Sequence, residues 1–265
     1  MIKIVATLLL LSFWVDAKTP AIVAHRGASQ DAPENTIPAF KLAWEQGADA
    51  IEGDFFLTKD NHIVCIHDPN TKKVATRNLE IKKSTLAELR TLDVGVKYAD
   101  HFKGTSIPLI SEVFATVPAQ KKMIYIEIKC GTEIIPPLLK EIGRSGLKQK
   151  QIVIISFNHK VIEAMKIKAP QYKAFWLSGM ERDRSGKPNP SLETVLSTLK
   201  KINADGFSSH HRHIDKKFIR ELIDKGYEYH VWTVDDAKTA ARFQQWGATS
   251  ITTNVPAHIQ KSIAK

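Results

Sequence analysis

The sequence predicts an α/β protein built as a closed parallel (β/α)8 barrel, and three observations carry that expectation. After residue 17, short apolar runs alternate with longer amphipathic ones along the chain. Roughly eight such strand-then-helix units fit within the 265 residues, the proportion of a barrel of about 250 residues. The rival, an open doubly wound sheet, normally carries a glycine-rich phosphate turn after its first strand. Here the first strand runs into His25-Arg26-Gly27 and lacks that pattern.

The elements follow in order. Strands are expected at 22–25, 50–57, 123–128, 152–156, 172–177, 204–208, 229–233 and 250–253, each a short run rich in apolar residues. Helices are expected at 36–46, 84–92, 110–117, 133–145, 159–167, 191–202, 215–225 and 235–246. Their apolar positions recur at helical spacing, as with Phe218, Leu222 and Ile223 on one side. Gly47, Gly226 and Gly247 follow three of these helices and suit left-handed caps. Asn35 or Thr36 suits the N-cap of the first helix. Lys59-Asp60-Asn61 reads as a tight turn, which puts a small hairpin insertion after the second strand. The polar stretch 178–190, with two glycines and two prolines, reads as a surface loop after the fifth strand.

Residues 1–17 stand apart. Lys3, an apolar run from 4 to 15 and the small residue Ala17 are the parts of a secretory signal. The run is short of the roughly 20 residues that a spanning helix needs, and no other segment is long and apolar enough. The expectation is an exported barrel of residues 18–265, periplasmic or secreted, with no stable membrane span. Nothing in the sequence sets an oligomeric state. Hydrophobic residues at 43% and charged ones at 25% are ordinary for a globular domain with a full core.

The net charge of +10 suits anionic substrates, an anionic envelope surface, or simply a solvated basic exterior. The lysines are spread along the chain, with no basic helix, zinc pattern or aromatic RNA-binding box, so nucleic acid is not expected as a partner. Cys65 and Cys130 are the only cysteines. Two do not make a disulfide framework, and free thiols are the default.

In such a barrel the chemistry belongs at the C-terminal strand ends, and that rule selects the polar residues to weigh. Glu52 and Asp54 interrupt an apolar strand two residues apart, so both carboxylates share one face. Burying two like charges without a partner is costly. A bound cation removes that cost, and hard oxygen donors favour Mg2+ or Ca2+ over zinc; an exposed strand is the plainer alternative. Glu127 and Lys129 repeat the spacing at the end of the third strand, as a further metal ligand with a phosphate-binding lysine or as a salt bridge in the barrel mouth. His25 and Arg26 end the first strand, and His67-Asp68 follow the run 63–66. Cleaving a phosphodiester needs one group to take a proton and another to give one, and histidine suits both near neutral pH. Arg26 can grip phosphate oxygens through its planar fork, and Glu34 can buttress Arg26 or the metal shell.

Taken together, these segments resemble the glycerophosphodiester phosphodiesterase family. The resemblance rests on Ala24-His25-Arg26-Gly27, Ala32-Pro33-Glu34-Asn35-Thr36, Glu52-Gly53-Asp54, His67-Asp68-Pro69, Ile126-Glu127-Ile128-Lys129, Val231-Trp232-Thr233-Val234 and the stretch 247–256, in order along essentially the whole chain after residue 17. It implies a TIM barrel that hydrolyses glycerophosphodiesters to glycerol 3-phosphate and an alcohol with a divalent metal, Mg2+ or Ca2+. By family position Glu52, Asp54 and Glu127 would bind the metal, and His25 and His67 would be the acid–base pair. Arg26 and Lys129 would contact phosphate. Trp232 would pack against the glycerol end, or serve as a core tryptophan. The mechanism proposed for the family starts with the substrate's own glycerol hydroxyl and passes through a cyclic phosphate.

Some positions depart from the family pattern. Phe55 follows Asp54 where a smaller aliphatic residue is common, and Ser250 and Asn254 stand where glycine and aspartate are frequent. His210, His211 and His213 cluster after the sixth strand and are expected in a polar loop rather than along a leaving-group pocket. A related barrel phosphodiesterase acting on lysophospholipids or phosphoinositides would use the same residues. An exported barrel that binds a phosphodiester without turnover is the reading from another class, although every catalytic position is present.

Overall fold

Residues 19–119 and 121–263 of a computed structural model are described here; the expected leader, residues 1–17, lies outside them. Eight parallel strands close into a barrel. In chain order they are β1 (Ala21–Ala24), β2 (Ala50–Leu57), β4 (Met123–Ile128), β5 (Ile152–Ser156), β6 (Lys173–Ser178), β9 (Gly206–His210), β10 (Glu228–Trp232) and β11 (Ser250–Thr253). Each pairs with the next, and β1 pairs with both β11 and β2, which closes the ring. Between β2 and β4, β3 (Ile63–Cys65) runs antiparallel to β2, with Phe55 opposite Cys65 and Leu57 opposite Ile63. The turn uses Asn61 at a φ of 61°, a left-handed conformation that asparagine tolerates well.

The helices are α1 (Ile37–Glu45), α2 (Leu86–Leu89), α3 (Ile110–Phe114), α4 (Ile135–Arg144), α5 (His159–Lys168), α6 (Leu192–Lys201), α7 (Lys216–Asp224), α8 (Ala237–Trp246) and α9 (Pro256–Ile263). The last of these was not foreseen, and α2 and α3 are much shorter than their sequence patterns suggested. No described helix is long and apolar enough to cross a membrane. Thr36, rather than Asn35, caps α1 by accepting from Ala39 N. Gly47, Gly226 and Gly247 all take the left-handed conformation, at φ 86°, 85° and 93°. The stretch 178–190 is mostly exposed but carries a small ribbon, β7 (Glu181–Arg182) against β8 (Pro188–Asn189).

Strand alternation sorts the side chains into two layers. Ile51 and Phe55 of β2, Ile124, Ile126 and Ile128 of β4, and Tyr229 and Val231 of β10 point outward into the core beneath the helices. Val23, Ala50, Tyr125, Val153, Ile155, Phe175 and Leu177 point inward and fill the barrel. A third, smaller core of Val64, Ile66, Ile81, Leu89, Val94 and Ile107 belongs to the insertion between β2 and β4. The polar residues that break the apolar runs at inward positions therefore meet at the open end of the barrel.

Candidate active site

Glu52 and Asp54 sit on the inward face of β2, and Glu127 lies beside Asp54 in the parallel register with β4. All three are buried, and an oxygen from each lies within 4.8 Å of the others. Burial, then the neighbouring Asp54 and Glu127, pushes the Glu52 carboxyl well above its ordinary range. Burial and Asp54 likewise raise Glu127 to about 7. Burial works against Asp54 too, but Lys129 and Arg26 outweigh it and hold this carboxyl below its usual value.

Two cationic side chains thus serve two of the three acids. Lys129 Nζ is 2.7 Å from Glu127 Oε1 and 3.4 Å from Asp54 Oδ1, and Arg26 Nε is 3.2 Å from Asp54 Oδ2. Glu52 has no such partner. Its Oε2 accepts from the Arg26 backbone N–H at 2.9 Å, while its buried Oε1 accepts nothing. An ionised oxygen left in that state costs several kcal/mol. A hard divalent cation at the three carboxylates would satisfy it, so the donor set fits Mg2+ or Ca2+.

The chain holds this cluster by unusual backbone. Arg26 adopts φ 56° and Gly27 φ 82°. A Cβ at Gly27 would come within 2.6 Å of the Ala39 carbonyl carbon, so only glycine fits against α1 there. Arg26 reaches back to Glu34, with Nη1 at 3.3 Å from both oxygens, and Lys73 closes on Glu34 at 2.7 Å. Glu34 therefore buttresses Arg26. Asn35, at φ 59°, has a role that its place before α1 concealed. Its Nδ2 donates to Asp54 Oδ2 at 2.8 Å, and its Oδ1 accepts from Asp54 N at 3.1 Å.

His25 follows β1 and is tied to the last strand, its backbone N donating to Thr253 O at 2.8 Å. Asn254 Nδ2 donates to Asp235 Oδ2, which turns Asn254 Oδ1 toward His25 Nδ1 at 2.8 Å. His25 Nδ1 therefore carries the proton and Nε2 keeps a free lone pair. Burial, reinforced by Arg26, pushes His25 down to about 4, so the ring is neutral at pH 7. His67, beyond β3, places its Nδ1 2.7 Å from the Asp68 carboxylate.

His25, Arg26, Glu52, His67, Glu127, Lys129 and Trp232 line one cavity of about 290 Å³ at the barrel mouth, with Asp54 just beneath. Its far wall carries Phe157, Trp232 and His210. The assignment of the histidine cluster to a polar loop is corrected for His210. The sixth strand runs to residue 210, two residues beyond its apolar stretch, with His210 in register with Trp232. Pairing with β10 extends a polar strand end that local composition does not reveal. Trp232 lines the cavity and also packs against the apolar residues inside the barrel. Cys65 and Cys130 are free thiols, Cys65 buried.

The family model described as "Glycerophosphoryl diester phosphodiesterase family" matches residues 25–258. The chain is similar to the glycerophosphodiester phosphodiesterase of Caldanaerobacter subterraneus subsp. tengcongensis, 33% identical over 89% of this chain and 94% of the relative. A Bacillus subtilis glycerophosphodiester phosphodiesterase is 26% identical over 88% of this chain and 83% of its own. Among solved structures, an Oleispira antarctica phosphodiesterase in complex with the product sn-glycerol-3-phosphate superposes with a TM-score of 0.83. It covers 93% of this chain and 98% of its own at 23% identity, a likeness of fold.

Proposed function

This chain belongs to the glycerophosphoryl diester phosphodiesterase family, and from that premise we propose that it hydrolyses glycerophosphodiesters to glycerol 3-phosphate and an alcohol. One observation carries the reading. Three buried carboxylates, two cationic side chains and two histidines meet at a single cavity, and one carboxylate oxygen there is left without a partner.

Glu52, Asp54 and Glu127 would hold Mg2+ or Ca2+, which when bound supplies positive charge to the phosphate oxygens. Arg26 and Lys129 add fixed positive charge on the same side and orient the phosphate. His25, neutral and with Nε2 free, takes the proton from the glycerol 2-hydroxyl as its oxygen attacks phosphorus. His67, whose Nδ1 donates to Asp68, hands a proton from Nε2 to the departing alcohol oxygen as the P–O bond breaks. The product of that step is a cyclic phosphate. Water then opens the ring, with His67 taking its proton and His25 returning one to the glycerol oxygen. Trp232 gives the glycerol an apolar wall. The leader-like residues 1–17 support export to the periplasm or medium.

The test is release of glycerol 3-phosphate from glycerophosphocholine, with chelator and with Mg2+ or Ca2+ restored separately. Metal-dependent turnover that is lost in Glu52→Ala and His25→Ala is the expected result. A folded protein that releases nothing with either metal would overturn the reading, and lysophospholipids in the same assay would show whether specificity has moved.

A further inference from the structure

The far wall of the cavity contains a polar group that the proposed chemistry leaves unused. Around the ring, β9 lies four strands from β2, so His210 faces the cavity across from Glu52 and Asp54. Its ring is fixed on three sides. It stacks on His211 with centroids 4.4 Å apart, meets Trp232 edge-on at 5.3 Å, and accepts at Nδ1 from the Arg212 backbone N–H at 3.2 Å.

That backbone hydrogen bond sets the tautomer. A neutral imidazole with Nδ1 accepting must carry its proton on Nε2. Burial, then the neighbouring His211 and Arg212, pushes His210 below its ordinary value and so keeps the ring neutral. Among the described residues no protein group engages Nε2. Ser208, two residues earlier on the same strand face, lines the cavity below it. His210 therefore offers a preset N–H donor beside the aromatic wall.

We propose that His210 is a specificity-determining residue, its Nε2–H donating to the terminal hydroxyl of the substrate's glycerol while the phosphate sits at the carboxylates opposite. This rests on the glycerophosphodiester reading of the cavity. A glycerol phosphate spans the two walls, with its carbons against Trp232 and its hydroxyl at His210. An otherwise identical diester lacking that hydroxyl leaves a half-buried donor unpaired.

A substrate–residue cycle tests this. Glycerophosphocholine is compared with its propane-1,2-diol analogue, which keeps the 2-hydroxyl but lacks the terminal one, on the native protein, His210→Phe and His210→Gln. Calorimetric binding of glycerol 3-phosphate and propane-1,2-diol 1-phosphate is measured on the same three proteins. One hydrogen bond is worth about a tenfold preference for the glycerol compound. That preference should vanish in His210→Phe and survive in part in His210→Gln, in kcat/KM and in product binding alike. A native protein with no preference, or the same preference in His210→Phe, overturns the proposal. If neither diester is turned over, the hydrolytic reading fails, and the product-binding cycle alone decides the role of His210.

Discussion

Replacing Asn35 by alanine tests whether the carboxylate cluster is held by one buried amide. Three losses follow from the contacts. The hydrogen bond from Nδ2 to the Asp54 carboxylate, at 2.8 Å, involves a charged acceptor and is worth about 1.5–3 kcal/mol. The Asp54 backbone N–H, which donates to Asn35 Oδ1 at 3.1 Å, is left without that acceptor in a dry interior, at about 1–3 kcal/mol. Alanine at a φ of 59° adds about 1 kcal/mol of backbone strain. These terms overlap, and the expected loss is about 3–5 kcal/mol, a large share of the roughly 5–15 kcal/mol that stabilises a typical domain. Urea unfolding followed by tryptophan fluorescence reads it directly. Asn35→Gly separates the causes, since glycine accepts the left-handed backbone but restores neither hydrogen bond. It should recover only about 1 kcal/mol relative to alanine. A loss below about 1 kcal/mol in Asn35→Ala, or full stability in Asn35→Gly, would refute the reasoning. Turnover should fall by about 10–100-fold in either variant, as when groups that orient metal ligands are removed.

Excess Mg2+ or Ca2+ should stabilise the native protein by about 2.7 kcal/mol at a hundredfold the dissociation constant. Glu52→Gln should abolish that rise in melting temperature while raising the metal-free one, because it removes a carboxyl that burial and two like neighbours disfavour; equal metal shifts in both proteins would contradict the assignment. His67→Asn should lower kcat by about 10²–10⁴-fold with product binding retained, as measured by calorimetry alongside turnover. At the opposite end of the barrel, burial raises Glu228, but the His230 ring facing it at 3.7 Å and the hydrogen bond from Lys173 outweigh burial and hold the carboxyl at about 2. Because the folded value is depressed, this stabilisation is complete above the unfolded value and is lost as pH falls from about 4.5 toward 2. With Lys173 largely solvated, Glu228→Gln should lose about 1–2 kcal/mol at pH 7, and the difference from the native protein should shrink on titration from pH 5 to pH 3.

Much of this was legible in the sequence because it depends on period alone. Two-residue spacing put Glu52 with Asp54 and Glu127 with Lys129 on inward faces, and short apolar runs marked all eight barrel strands. What escaped detection depends on tertiary partners. Asn35 read as a helix cap because its hydrogen bonds go to a residue 19 positions on. Asn254 read as a departure from the family pattern, yet its amide bridges Asp235 to His25 across 229 positions. Local composition puts His210 in a loop because strand propensity fades at Ser208, whereas pairing with Trp232 carries β9 further. The short α2 carries apolar residues that serve a separate small core instead of one long helical face, whereas Ile110, Val113 and Phe114 of α3 pack into the main core from little more than one turn of helix.

The pairing of β1 with β11 also sets a timetable. A ribosome makes His25 among the first residues of the barrel and Asn254 among the last. Until the final strand arrives, β1 lacks one neighbour and His25 lacks the amide that selects its tautomer. The candidate site is thus completed by the pairing that seals the ring, and a chain that ends before residue 250 carries both histidines and all three acids without the partner that fixes His25. In the proposed chemistry, then, the last strand to be made is also the one that readies the base contributed by the first.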